Sequence, residues 1–298
     1  MIIKENNINY FFENTCPTDE SILKHGIGIK KILFSGIEKI KLNNLEINMK
    51  VEIFDTYAYG KMLTLDDRVQ TSEFDEFIYH EIITHVPMLY HKNPKNILII
   101  GGGDGGSLRE VLKHDIESVS MVEISKSVIE SCKKYIPSIP NNCYENPKSN
   151  LIIGDGRAFI QKNKNKFDVI ILDLSDPDGP ADGLTSKAFY QEVYDALKSD
   201  GIVSIQSESL TYQHKLVSSM QKNIRAVFPF AQLHTASIPT YQGSTFGFTV
   251  AAKHDFTQLT KEYVKSSLNK LGKLKYLDEN IFFASTIIPS YLKEKIDL

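Results

Sequence analysis

Six carboxylates stand at or just past the ends of short apolar runs. Asp104 follows ILII (97–100) and three glycines, Glu123 closes SVSMVE, and Asp155 follows LIIG. Asp173 closes FDVIILD with Asp176 just behind it, and Glu208 lies in GIVSIQSES. A single acid after a strand is most often a helix cap, and Asp155, before a helical stretch at 156–162, fits that role on its own. Several acids gathered in one cleft are different, because like charges repel and raise one another's pKa. A bound cation is the simplest compensation. Asp104 is the most telling of the set. Gly101, Gly103 and Gly106 satisfy G-x-G-x-x-G, a weak dinucleotide signal; a carboxylate inside that turn opposes a pyrophosphate and welcomes a cation. Glu123 lies 20 residues after Gly103, where an acid typically accepts both ribose hydroxyls of an adenosine. Asp155-Gly156 offers a carboxylate and an open backbone to an adenine amino group. Adenosine joined to positive charge is a sulfonium nucleoside. S-Adenosylmethionine also carries a carboxylate, which Asp104 disfavours; its decarboxylated form carries only the sulfonium and a primary ammonium. Asp173, Asp176 and Glu208 then suit a second cation such as a diamine.

These acids need a parallel sheet to bring them to one rim. From residue 96 onward the pattern alternates, with strands expected at 96–100, 118–124, 150–153, 167–172 and 201–205. Helices are expected at 107–114, 125–134, 156–162, 186–197 and 213–227. Near-continuous apolar strands alternating with helices mean a parallel sheet covered on both faces. Ser107 is placed to cap the first of these helices. Segments 231–238 and 245–252 resemble an antiparallel pair closing the sheet edge, and two helices are expected in 256–298. Asp168 only begins its strand. Upstream, residues 39–53 alternate with period two, and a helix is expected over 72–86, ending near Pro87. The fold class is therefore α/β: a Rossmann-like, doubly wound, mostly parallel sheet of the methyltransferase type, preceded by a small antiparallel β domain. The domains expected are 1–70, suited to oligomer contacts and to one wall of the cleft, and 71–298, the catalytic part.

The 298 residues, 42% hydrophobic and 24% charged, have ordinary globular composition. A net charge of −3 argues against a nucleic-acid partner. No apolar run is long enough for a membrane span, and the N-terminus lacks a signal-peptide pattern. Cys16, Cys132 and Cys143 are odd in number and unpatterned, as expected for free thiols in a cytoplasmic protein. The histidines form no zinc pattern; His80 and His85, five apart, face different sides of a helix.

The chain resembles the spermidine synthases of the polyamine aminopropyltransferase family. The resemblance rests on LTLDDRVQTSEFDEFIYHE (63–81), ILIIGGGDGGSLREVLKH (97–114), VEI (122–124), GDG (154–156), DLSDPDGPADGL (173–184) and IPTY (238–241). It implies aminopropyl transfer from decarboxylated S-adenosylmethionine to putrescine, without metal or redox cofactor, by a homodimer or homotetramer. Residue by residue it implies Asp173 as general base, with Tyr79, Asp176, Glu208 and Tyr241 around the amine. It implies Gln70, His80, Asp104, Glu123, Asp155, Gly156 and Pro180 around the nucleoside. Loop 174–185 would gate the site. Met49 stands where the family usually has a nucleoside-binding Gln, Ser125 replaces a usual Asp, and Asp182-Gly183 a usual Glu-Ser. Tyr79 by itself, on a helix, reads as core. Alternatives are an S-adenosylmethionine-dependent methyltransferase, an NAD-linked oxidoreductase, a polyamine-binding sensor, or the same transfer to cadaverine, agmatine or spermidine.

Overall fold

The computed structural model describes residues 2–13, 26–42, 45–176, 183–241, 245–256 and 258–298. Its first sheet is an antiparallel meander in chain order: β1 (Ile2–Glu5), β2 (Ile8–Phe12), β3 (Gly26–Leu42), β4 (Leu45–Thr56), β5 (Lys61–Leu65) and β6 (Arg68–Ser72). The alternation read at 39–53 is a strand pair, the end of β3 and most of β4. The described residues before 37, where sequence shows no clear period, include β1, β2 and most of β3. Ile40, Met49, Val51, Ile53 and Leu63 of this sheet bury against Val128 and Cys132 on α3 (Lys126–Tyr135). The two parts of the chain thus share a core. Helix α1 (Glu76–Tyr90) follows, carrying Pro87 in its last turn.

The second sheet has the order β12-β13-β11-β10-β7-β8-β9. Its members are β7 (Asn96–Gly101), β8 (Ser118–Glu123), β9 (Ser149–Ile153), β10 (Phe167–Asp173), β11 (Leu197–Ser209), β12 (Phe230–Ser237) and β13 (Thr245–Ala252). The five strands from β9 to β11 are parallel, and β13 and β12 close the edge antiparallel, as expected. Ile97–Ile100 and Val169–Leu172 are almost fully buried, which is why these runs are continuous rather than alternating. Helices α2 (Gly106–Val111), α4 (Gly156–Lys162), α5 (Lys187–Ala196) and α6 (His214–Arg225) complete the wound part. The tail has three short helices rather than two: α7 (Lys261–Asn269), α8 (Glu279–Ala284) and α9 (Ser290–Lys295). Pro289 sits at the N-cap of α9, so the segment after α8 begins a separate helix.

Candidate active site

Strand order reverses between β7 and β10, and Asp173 lies opposite Gly101 there. That switch point is where an open α/β sheet offers its crevice. The Gly102 amide donates to the Asp173 carbonyl at 2.9 Å. Gly101 has φ +81°, and a Cβ on it would lie 2.1 Å from that same carbonyl oxygen; only glycine lets the strand ends meet so closely. A cleft of about 440 Å³ opens beyond them.

Asp173 is gripped on both carboxylate oxygens. Tyr79, on α1, donates to Oδ1 at 2.6 Å, and Ser107, on α2, donates to Oδ2 at 2.6 Å. Burial pushes the Asp173 carboxyl above its ordinary range and the Asp104 charge adds to this, while His80, Ser107 and Tyr79 pull the other way. Asp104 accepts from the Gly106 amide at 2.8 Å, and its Oδ2 lies 3.4 Å from His80 Nε2. Burial alone would raise it, but the facing imidazolium and the Gly106 amide bring it below the usual carboxylate range. His80 in turn contacts Glu76 through Nδ1 at 2.6 Å. Burial opposes its charge, yet Asp104 and Glu76 together carry its pKa up to about 10. His85 faces the other way, onto Glu110 and His114.

At the far side of the glycine turn stands Glu123, with one oxygen accepting from the Ser125 amide at 2.8 Å. Burial pushes its carboxyl up to about 7, and Asp173 contributes in the same direction. Asp155 Oδ1 accepts from the amides of Arg157 and Ala158, so the capping role read from sequence is present. A Cβ on Gly156 would meet Ile100 Cγ2 at 2.4 Å. Met49, buried on β4 opposite Glu38, lines the same cleft. Ser125 caps α3 through its hydroxyl oxygen, which also donates to Glu38 of β3. The replaced acid thus gives way to a tie between helix and small sheet.

At the other end, Asp176 pairs with Arg68 at 3.3 Å. Tyr241 donates its hydroxyl to the Gln70 carbonyl. Glu208, buried, takes a left-handed backbone (φ +61°) at the irregularity in β11 between Gln206 and Ser209. Its carboxylate accepts from Gln206 Nε2 at 2.8 Å. Most left-handed non-glycine residues here are Asn or Asp; a glutamate held there inside a strand stores backbone strain, which tends to cluster at functional sites.

All the site residues expected from sequence line this one cleft, except Pro180, which lies outside the described residues together with 177–182 of the proposed gate. Two expectations are corrected. Ser107 does not cap α2; the N-cap is Gly105, with φ +83° and no side-chain bond, and the hydroxyl serves Asp173 instead. Nor do the acids stand uncompensated. His80 faces Asp104, Arg68 pairs with Asp176, and Asp155 holds a helix start. A ligand can still meet Asp104, which His80 and the Gly106 amide keep ionised, and the pair with raised pKa, Asp173 and Glu123. Sequence reading missed Ser107, Glu76, Arg68, Gln206 and Glu13; the last lines the cleft and accepts from the Val69 amide. Arg68, Glu76 and Ser107 lie inside the stretches quoted above, but nothing in the local pattern tells which distant side chain each one reaches.

Among the described residues one group has metal-compatible spacing, His91, Asp168 and Asp200. Lys198 already sits 2.8 Å from Asp168. The Asn93 amide donates to His91 Nδ1, leaving Nε2 as the protonated nitrogen of the neutral ring. Asp168 also accepts from the Lys95 and Asn96 amides, so it fastens strand starts at the end of the sheet away from the cleft. Among the described residues no helix is long and apolar enough to cross a membrane. Cys132 and Cys143 are buried free thiols, and Cys16 lies outside the described residues.

A family model described as "Spermine/spermidine synthase domain" matches residues 76–262, and one described as "Spermidine synthase tetramerisation domain" matches 49–73. A polyamine aminopropyltransferase of Thermoanaerobacter sp. strain X514 is 40% identical over 291 residues, covering 97% of this chain and 98% of its own. A spermidine synthase crystallised with the transition-state analogue AdoDATO superposes with a TM-score of 0.88 at 34% identity, covering 97% of this chain and 94% of its own. Spermidine synthase from Thermotoga maritima gives 0.86 at 34%, with the same coverage.

Proposed function

Because this chain belongs to the spermidine synthase family of polyamine aminopropyltransferases, we propose that it moves the aminopropyl group of decarboxylated S-adenosylmethionine to putrescine. The products are spermidine and 5'-methylthioadenosine. The observation that carries the reading is the pair of carboxylates across the glycine turn, Asp104 buried and Asp173 half-buried, held apart in role by their partners. Asp104, kept ionised by His80, suits the primary ammonium of the nucleoside. Asp173, with its raised pKa, suits a base. Glu123 lies where ribose hydroxyls would be accepted, and Asp155-Gly156 where adenine would sit. Tyr79, Asp176, Glu208 and Tyr241 surround the acceptor amine.

A primary amine has a pKa of roughly 10, like lysine, and arrives as a non-nucleophilic ammonium. Asp173 takes its proton once the other end of the diamine is anchored. The neutral nitrogen then attacks the propyl carbon beside sulfur, the C–S bond breaks, and the sulfonium leaves as a neutral thioether. Alignment of the two substrates can contribute roughly 7–11 kcal/mol. The proton transfer can contribute roughly 10²–10⁴-fold. These residues need no metal or redox group for that sequence. The test is methylthioadenosine release from the decarboxylated nucleoside with putrescine, cadaverine, agmatine and spermidine in turn. Fastest release with putrescine is expected. Faster turnover of another amine reassigns the acceptor, and no release with any of them overturns the reading.

A further inference from the structure

Ser107 is fully buried in the first turn of α2, where a serine would ordinarily serve the helix amides. Gly105 takes the capping position instead. The Ser107 hydroxyl points at Asp173 Oδ2, at 2.6 Å. Tyr79 holds Oδ1 at the same distance from a different helix. Gly102 offers no side chain beside Oδ2, and a Cβ there would sit 2.9 Å from that oxygen. We propose that Ser107 is a positioning residue for the base: with Tyr79 it clamps the Asp173 carboxylate in one plane and favours its ionised form. The inference rests on Asp173 being the base. A carboxylate free to rotate about its last bond presents its lone pairs to the acceptor nitrogen only part of the time. Two hydroxyl donors on two rigid helices remove that freedom.

The clamp also sets when Asp173 is ready. Hydrogen bonds to the charged form of an acid favour that form. The groups facing Asp173 are Tyr79 and His80 from α1, Asp104 from the glycine turn, Glu123 from β8 and Tyr241 beyond β12. Only the Ser107 contribution is removed by Ser107→Ala, which takes away one oxygen without adding bulk.

The test pairs two measurements on the full chain. Aspartate carboxyl carbons are labelled with ¹³C and titrated by NMR without ligand, the Asp173 signal being assigned by its loss in Asp173→Asn. Methylthioadenosine release is measured against pH for wild type, Ser107→Ala and Ser107→Thr. In Ser107→Ala the Asp173 midpoint is expected to rise by roughly one pH unit. Its kcat at neutral pH should fall by about tenfold, the size of a lost bond to a charged group, while KM for the nucleoside stays put. Ser107→Thr, which keeps the hydroxyl, should restore both. A Ser107→Ala protein whose Asp173 titration and kcat–pH curve superpose on wild type overturns the proposal. If wild type itself releases no methylthioadenosine, the assigned reaction fails, and the NMR titration alone still decides whether Ser107 governs Asp173.

Discussion

Replacing Asp173 by asparagine keeps the shape that Tyr79 and Ser107 grip but removes the proton acceptor. Turnover should fall by roughly 10²–10⁴-fold, with nucleoside affinity largely retained by calorimetry; near-normal turnover would remove Asp173 from the mechanism. Glu123 carries a pH signature. Its pKa of about 7 without ligand means that at lower pH a cationic nucleoside must displace a proton to meet a carboxylate. Affinity should therefore rise as pH rises through about 7, and Glu123→Gln should flatten that dependence in calorimetry at several pH values. His80 carries the opposite sign. Its folded pKa, about 10, lies above its ordinary 6.5, so the stability it adds is complete below about 6.5 and is lost as pH rises through about 10. The Tm gap between wild type and His80→Gln should be widest in the acidic range and close towards pH 10.

At the scale of elements, Arg109 is the rivet between α1 and α2. Its guanidinium meets Glu76 of α1 at 3.1 and 2.8 Å, Glu110 beside it at 2.8 Å, and the Ile139 carbonyl at 2.7 Å. Arg109→Met leaves two buried carboxylates short of a partner, a change that typically costs roughly 3–5 kcal/mol. A clear drop in Tm is expected, with weakened nucleoside binding, because Glu76 orients His80. An unchanged Tm would show that water serves Glu76 and Glu110 as well. The approach of the two helices also explains why position 106 is glycine. A Cβ there would fall 2.2 Å from His80 Cε1.

At the scale of the whole molecule, the small sheet presents apolar side chains outward. Ile37, on β3, is 71% exposed and Ile32 44%. With a segment matching a tetramerisation domain in the same sheet, we propose that this face joins subunits. Ile37→Lys should then shift light scattering towards a smaller species, and an unchanged mass would place the contact elsewhere. The Ser125–Glu38 tie has a matching role inside one chain, holding the small sheet against the Glu123 end of the cleft.

The wound sheet was legible because its strands are buried on both faces, so Ile97–Ile100 and Val169–Leu172 read as unbroken apolar runs. β3 was not, because shifts in register after Ile29 and Ile32 break its alternation. The line of acids at the strand ends was legible for the same reason as the strands: each lies at the end of its run or a few residues past it. Sequence by itself determined the α/β class, the glycine turn and which acids stand at the rim. Only the tertiary structure decided which of them keep a charge for a ligand to meet. Arg68 reaches Asp176, Arg109 reaches Glu76 and Ser107 reaches Asp173 across stretches of chain that no local pattern connects, and a carboxylate's pKa is set by what lies within a few ångströms of it rather than by what precedes it in sequence.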